Sequence, residues 1–246
     1  MISQARTVIV GAGIVGCSAV WHLAQKGWRD MLVIDQGPFP RTGGSTSHAP
    51  GLVFQTNSSK TMCQLAQYST HFYSQFTWEE KPCYYPVGGI EVATTPERMA
   101  DLHRRLGWAT AYGLHAAILT PEEVGQRVPL LDPSTILGGY FVEGDGIAKA
   151  VDVCAALAAD VVAMGAAEFV GGVEVTGFDI GEDIGEDIGG GKLRAVRTNQ
   201  GVIETGQVLI CAAIWGPKMA RLAGEPVLLA PVEHQYVITE PLAPLS

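Results

Sequence analysis

An α/β fold built on a parallel sheet is predicted by three observations. A β-branched apolar run, Thr7–Val10, stands near the start of the 246-residue chain and reads as a strand buried on both faces. It runs directly into Gly11-Ala12-Gly13-Ile14-Val15-Gly16, after which residues 17–26 carry Val20, Leu23 and Ala24 at helical spacing and Gly27 ends the helix. A second strand, residues 31–35, follows and finishes on Asp35. Strand, glycine-rich turn, helix and strand in that order describe a βαβ unit.

The spacing gives each residue of this unit a task. Gly11 permits the tight turn, Gly13 lets backbone N–H groups approach a pyrophosphate, and Gly16 lets the helix pack closely on the strand. The helix N-terminus adds oriented amides and a partial positive charge. Asp35, nineteen residues beyond Gly16, is placed to accept hydrogen bonds from a ribose diol. A glycine turn that bound nothing would leave Asp35 without a role. The fingerprint alone does not separate FAD from NAD, because the two share an ADP half. The next stretch bears on that choice. Gly43-Gly44-Ser45-Thr46-Ser47-His48 brings three hydroxyls and an imidazole into six residues, suited to lie along the edge of a polar ring system. A domain that bound only NAD would more simply continue into a helix and a third strand.

Further along, residues 87–92 read as a strand. Residues 96–106 read as a helix capped by Thr95 with Pro96 at its first position, and Thr120-Pro121-Glu122-Glu123 opens another by the same logic. A strand at 138–142, a helix at 148–164 and a strand at 169–175 follow. Residues 193–204 form a hairpin turning at Asn199-Gln200-Gly201, and residues 207–212 a buried strand. The alternation of residues 232–238 predicts a last strand carrying His234. The directly repeated Gly-Glu-Asp-Ile of residues 181–188 reads as an acidic solvated loop, since its spacing does not match a calcium loop. The division that results is a discontinuous cofactor domain, residues 1–85 and 146–230, and a partial antiparallel domain, residues 86–145 and 231–246.

Composition narrows the partners. A formal net charge of -9 argues against nucleic acid or an anionic membrane surface. Five scattered cysteines without a CxxC argue against a zinc site or disulfide framework and make a reducing compartment the default; with no basic and apolar leader ahead of Thr7–Val10, the expectation is a cytoplasmic protein. The longest apolar stretch, residues 146–173, contains Lys149, Asp152, Asp160 and Glu168, which suits a partly buried helix rather than a membrane span. With 47% hydrophobic and 17% charged residues the chain can bury a sizeable core.

The segments GGSTSHAPGLVFQTN, VIVGAGIVG, VIDQGP, VGGIEVATT and EHQYV together resemble the dimethylglycine oxidase, dimethylglycine dehydrogenase and sarcosine dehydrogenase family, most nearly its bacterial dimethylglycine oxidases. The resemblance implies a Rossmann-like FAD-binding domain of the glutathione-reductase type with an inserted antiparallel substrate domain. It implies that FAD is held by Gly11, Gly13, Ile14, Val15, Gly16, Asp35, Gln36, Gly44, Ser45, Thr46, Ser47, His48 and Leu52, with Val175 meeting the adenine side through its backbone. On the residues alone His48 is a loop histidine hydrogen-bonded to nearby hydroxyls. The resemblance implies instead a covalent bond from His48 to the flavin 8α-methyl, for which a neutral imidazole is a competent nucleophile. His234 alone reads as a half-buried strand histidine. By resemblance it lies beside the substrate amine, where it deprotonates the ammonium form. By the same resemblance the strand of residues 207–212 reaches the flavin, and the family commonly carries Ala-Gly where this chain has Ala212-Ala213.

The implied reaction is oxidation of the N-methyl group of dimethylglycine or sarcosine, with a hydride equivalent passing to the flavin. Tetrahydrofolate enters only where a further C-terminal domain exists, and oxygen or an electron-transfer protein takes the electrons. Another amine or amino-acid oxidase of the same fold, and a catalytically silent FAD-binding piece, are the alternatives. The absence of any tyrosine after Tyr236 and of a closing glycine-rich strand predicts an incomplete enzyme, truncated at its C-terminus.

Overall fold

The computed structural model of the chain describes residues 2–181, 191–233, 235, 237 and 240. It opens with strand β1 (Thr7–Val10), helix α1 (Ile14–Gln25) and strand β2 (Met31–Ile34). Helix α2 (Ser45–His48), strand β3 (Leu52–Val53) and helix α3 (Lys60–Tyr73) come next. A short hairpin of β4 (Thr77–Trp78) and β5 (Lys81–Pro82) leads to β6 (Tyr84–Tyr85). The middle of the chain forms β7 (Gly89–Ala93), α4 (Pro96–Ala111), β8 (Ala116–Leu119), α5 (Pro121–Arg127) and β9 (Gly138–Val142). Then come β10 (Gly146–Ala148), α6 (Ala150–Ala163) and β11 (Ala167–Val170). The meander β12 (Val175–Gly181), β13 (Lys192–Thr198) and β14 (Gly201–Glu204) precedes β15 (Val208–Ile210) and helix α7 (Gly216–Leu222).

A parallel sheet in the order β11-β2-β1-β15 carries the architecture. All residues of β1 and β2 are buried, and their side chains alternate between two cores. Ile9, Met31 and Val33 pack with Val20 of α1 and Val161 of α6, while Val8, Val10, Leu32 and Ile34 pack with Val175, Phe178 and Val196 of the meander. Two-sided burial is why these strands are apolar throughout, and each fully buried valine or isoleucine contributes on the order of 1.5–3 kcal/mol. The Trp21 indole N–H donates to Asp160 Oδ2 at 2.6 Å, tying α1 to α6.

Residues 89–142 contain a separate antiparallel sheet, β7-β9-β8. The Thr95 hydroxyl accepts from the Arg98 N–H, and Thr120 and Glu123 form a reciprocal capping box, so both caps lie where the sequence puts them. Arg98 and Arg105 each bridge Glu91 and Asp101, fastening α4 to β7. These carboxylate–guanidinium bonds form a closed network, the arrangement in which partly exposed ion pairs are worth most.

Several expectations need correction. Helix α1 begins at Ile14 rather than Cys17, so Gly16 lies in its first turn, and α4 runs to Ala111 rather than to residue 106. The single strand expected over 169–175 is two. β11 ends at Val170, Gly172 adopts φ +73°, its N–H donates to the Gly37 carbonyl, and Val173 N–H donates to the Asp35 carbonyl. The chain thereby leaves the parallel sheet and starts the meander at Val175. The strand expected over 207–212 shortens to Val208–Ile210. It is half exposed rather than buried because it is an edge of the sheet. The described members of the 232–238 segment, Val232, Glu233, Gln235 and Val237, are in no strand; His234 and the acidic repeat beyond Gly181 lie outside the described residues. No helix among the described residues is long and apolar enough to cross a membrane.

Asp145, in the turn between β9 and β10, is buried, and its Oδ1 accepts the Gln55 backbone N–H at 2.9 Å. Burial pushes its pKa up to about 6, against the two Gln55 hydrogen bonds, with Glu91 adding a like charge. An unfolded aspartate titrates near pH 4, so between there and about pH 6 the folded chain holds a proton that the unfolded chain has released. The stability contributed by the neutral carboxyl is therefore complete below about pH 4 and is lost as pH rises through about 6. The melting temperature of the wild type minus that of Asp145→Asn should fall between pH 4 and pH 7; a difference constant across that range contradicts the assignment.

Candidate dinucleotide site

The site is built at the carboxyl end of β1. Gly11 takes φ +108°, a conformation open to glycine, and its N–H donates to the Ile34 carbonyl at 2.8 Å. A Cβ at Gly16 would overlap the Gly11 carbonyl oxygen, and a Cβ at Gly11 would overlap the Cys211 carbonyl oxygen. Turn, helix and edge strand are thus in direct backbone contact, which excludes every side chain larger than hydrogen at both positions. A Cβ at Gly13 would lie 3.0 Å from Thr46 Oγ1. That hydroxyl instead accepts the Ile14 N–H at 3.0 Å, satisfying one of the orphan donors at the start of α1.

Asp35 ties the turn to β2. Its Oδ2 accepts the Ala12 N–H at 2.8 Å and its Oδ1 the Gly37 N–H at 2.9 Å. Each carboxylate oxygen keeps acceptor capacity beyond these bonds, so the group both shapes the loop and can receive a ligand hydroxyl. The hydroxyl-rich segment of residues 43–48 contains a one-turn helix, α2, closed by the Ser47 N–H donating to the Gly44 carbonyl and the Gly43 N–H donating to Ser47 Oγ. His48 ends it, exposed, with Nδ1 3.0 Å from the Gly44 carbonyl oxygen. A carbonyl only accepts, so in the neutral tautomer that makes this bond Nδ1 carries the hydrogen and Nε2 the lone pair.

These elements enclose a cavity of about 710 Å³ including its open mouth. Gly11, Gly13, Asp35, Gln36, Gly44, Ser45, Thr46 and Val175 line it. Gly16, Ile14 and Ser47 stand behind the wall and shape it through the contacts just given, while Val15 (64% exposed), Leu52 (50% exposed) and His48 lie outside it. The wall also contains the turn at Ala212-Ala213, where the sequence puts the approach to the cofactor, and residues around it that carry no motif. Val173 and Glu174 precede the start of the meander, and Cys211, Ala212, Ala213, Trp215, Lys218 and Met219 come from the far end of the chain. Burial pushes the Cys211 thiol above its ordinary pKa, so it stands there as a neutral group. The signal that could have found this wall is the strand–turn–helix order of residues 208–222, because ligands of open parallel sheets bind beyond the carboxyl ends of the strands. Gly13 and the start of α1 present amides to the cavity and Asp35 presents a carboxylate, a donor and acceptor set whose chemistry suits the pyrophosphate and ribose of a dinucleotide. Among the described residues no group of histidine, cysteine and carboxylate side chains could hold a metal ion.

Replacing Asp35 by Asn puts an N–H₂ group where one of two N–H donors now finds an acceptor. Leaving one such donor unpaired costs about 1–3 kcal/mol. Asp35→Asn should therefore lower the melting temperature of the ligand-free chain as well as weaken dinucleotide binding; an unchanged melting temperature would show that the carboxylate does not organise the loop.

Over residues 6–246 the chain matches the DAO family of FAD-dependent oxidoreductases. It is 30% identical over 241 residues to the mitochondrial sarcosine dehydrogenase of Mus musculus, covering 97% of this chain and 26% of that protein. Equal identity, 30% over 243 residues with 97% and 26% covered, relates it to the mitochondrial pyruvate dehydrogenase phosphatase regulatory subunit of Mus musculus. To the mitochondrial dimethylglycine dehydrogenase of Rattus norvegicus it is 29% identical over 238 residues, covering 96% and 26%. The chain spans about a quarter of the length of these relatives. In three dimensions it superposes on the L-proline dehydrogenase of P. horikoshii with a TM-score of 0.79 at 24% identity, covering 91% of this chain and 57% of the other. Fold, cavity and sequence agree that the chain belongs to the DAO family of FAD-dependent oxidoreductases.

Proposed function

We propose that the chain contributes the cofactor-binding part of an enzyme that oxidises the N-methyl group of a glycine derivative, sarcosine or dimethylglycine. The observation that carries the reading is the cavity in which Gly13, Asp35 and Thr46 meet at the start of α1, in a chain of this family. The likeness to sarcosine and dimethylglycine dehydrogenases supports the substrate class.

In this reading the first turn of α1 balances the pyrophosphate charge, Asp35 accepts from the ribose, and the Val175 backbone meets the adenine. FAD, when bound, supplies the centre that takes a hydride equivalent from the substrate's methyl carbon. His48 presents Nε2, the nitrogen with the free lone pair, for a covalent bond to the flavin. His234 takes the proton of the ammonium substrate, freeing the nitrogen lone pair that oxidation requires. Residues 1–85 and 146–230 form the cofactor domain, and residues 86–145 and 231–246 belong to an inserted domain that faces the substrate. An electron-transfer protein or oxygen takes the electrons. A second reading, an FAD-binding chain without turnover, is favoured by the equal likeness to a regulatory subunit.

One preparation tests these points. The full-length protein that contains this chain, loaded with FAD and titrated anaerobically with dimethylglycine and sarcosine, should lose its visible flavin absorbance; retained colour with flavin bound favours the silent reading. After acid precipitation the yellow colour should stay in the pellet for wild type and move to the supernatant for His48→Ala. Release from both would rule out the covalent bond.

A further inference from the structure

Asp145 is the one buried carboxyl group among the described residues, 3% exposed in the turn between β9 and β10. Burying a carboxyl is costly unless its hydrogen bonds are made, so its partners show what it is there to hold. Oδ1 accepts the Gln55 backbone N–H at 2.9 Å, and the Gln55 side-chain Nε2 lies 3.4 Å from the same oxygen. The carboxyl presses on the backbone of β7, where a Cβ at Gly89 would lie 2.9 Å from Oδ2. The turn that carries it is fixed from two more sides. The Gly88 N–H donates to the Asp145 carbonyl at 2.9 Å, and the Tyr84 hydroxyl donates to the Gly144 carbonyl at 2.7 Å.

Gln55 ends the stretch of chain that starts at α2, and that stretch is strung between two anchors. At one, Thr46 Oγ1 accepts the Ile14 N–H at the head of α1. At the other, Gln55 meets Asp145. His48 and β3 lie between them. β3 pairs with β10 over two residues, Leu52 with Ile147 and Val53 with Gly146. So short a ladder specifies its register weakly, and contacts outside it must fix the alignment. On the His48 side the Ala148 N–H donates to the Gly51 carbonyl at 2.8 Å, and Gly51, at φ +83°, has no room for a Cβ beside the Ala148 carbonyl. On the far side Asp145 takes the Gln55 N–H. A slip of one residue would move the chain by about 3.3 Å and turn its side chains over.

From this placement we infer that Asp145 is a positioning residue for His48: by holding the Gln55 N–H it fixes the register of β3, and so where the imidazole stands when the flavin is bound. The inference rests on the covalent bond proposed for His48. In that bond Nε2 joins the flavin 8α-carbon, one methyl hydrogen leaves as a proton, and Nδ1 gives up its hydrogen as a proton. The C–H electron pair passes through the ring to dioxygen, which with two protons becomes hydrogen peroxide. A misplacement of about 1 Å costs on the order of a hundredfold in rate. Attachment therefore answers to Asp145 more sharply than FAD binding does, because binding depends on Gly11, Gly13 and Asp35 at the cavity.

The test uses the full-length protein that contains this chain, prepared without flavin, mixed with FAD in air and sampled into acid over time. Yellow colour in the pellet measures attachment, and FAD affinity is measured separately in a His48→Ala background, where binding stays reversible. Asp145→Ala should slow attachment about tenfold or more while changing FAD affinity by less than about threefold. Asp145→Asn, which keeps an acceptor for the Gln55 N–H, and Gln55→Ala, which keeps the N–H itself, should attach within about threefold of wild type. Gly51→Ala, which disturbs the register from the other anchor, should slow attachment as Asp145→Ala does. Attachment by Asp145→Ala within about twofold of wild type, or equal slowing by Asp145→Ala and Asp145→Asn, would overturn the positioning role. FAD affinity that falls in step with attachment would make Asp145 a structural residue and overturn it too. An unchanged rate in Gly51→Ala overturns it even where Asp145→Ala fails to fold. Wild-type protein that releases all its flavin into the supernatant would overturn the covalent bond itself, and this inference with it.

Discussion

The site depends on one close approach. The first turn of α1 lies so near the β1–α1 turn that the Gly11 carbonyl oxygen occupies the place of a Gly16 side chain, and Cys211 at the end of β15 crowds Gly11 from the other side. Three backbone segments, two of them about 200 residues apart, therefore share one contact with no side chain between them. That contact sets where α1 begins and so where its amides face. It also brings the Ala12 N–H within reach of Asp35 and delivers the chain after β15 to the cavity's far wall. Packing on both sides of the parallel sheet holds the contact closed, since β1 alternates between the core under α1 and α6 and the core under the meander.

Asp35 shows how one residue serves fold and site together. A carboxylate that accepts two loop amides is a structural clasp, and its spare lone pairs make it a ligand acceptor as well. The spacing of Asp35 from the glycine turn foretells the second role but not the first, because the first depends on where Gly37 turns back. Thr46 has the same double character: its hydroxyl lines the cavity and accepts from Ile14 at the head of α1.

What was legible in the sequence was local. The order of β1, α1 and β2, both threonine caps and the turn between β13 and β14 depend on residues within a few positions of each other, and they lie where periodicity and capping chemistry put them, except that α1 starts three residues earlier, at Ile14. In the wall made by residues 211–219, the approach of the strand end at Ala212-Ala213 is legible in the sequence, whereas Trp215 and Lys218 are not, because nothing near them in sequence marks them; their partners are Gly44 and Glu174. The break at Gly171-Gly172 was hidden for the same reason: apolar residues continue through it, and only hydrogen bonds to Asp35 and Gly37 reveal that the strand has ended. His48 lies between these cases. Its hydroxyl-rich context is visible in sequence, whereas the carbonyl that leaves Nε2 as the free nitrogen belongs to the turn of α2.

The most direct test of the close-approach account is Gly16→Ala, with the ligand-free melting temperature and FAD binding measured on the same preparation. A methyl has no room between α1 and the Gly11 carbonyl, so the helix must move away, at about 1–3 kcal/mol or more for overpacking. The account predicts a clearly lower melting temperature without ligand and loss of saturable FAD binding. A Gly16→Ala chain that melts and binds FAD like wild type would contradict it.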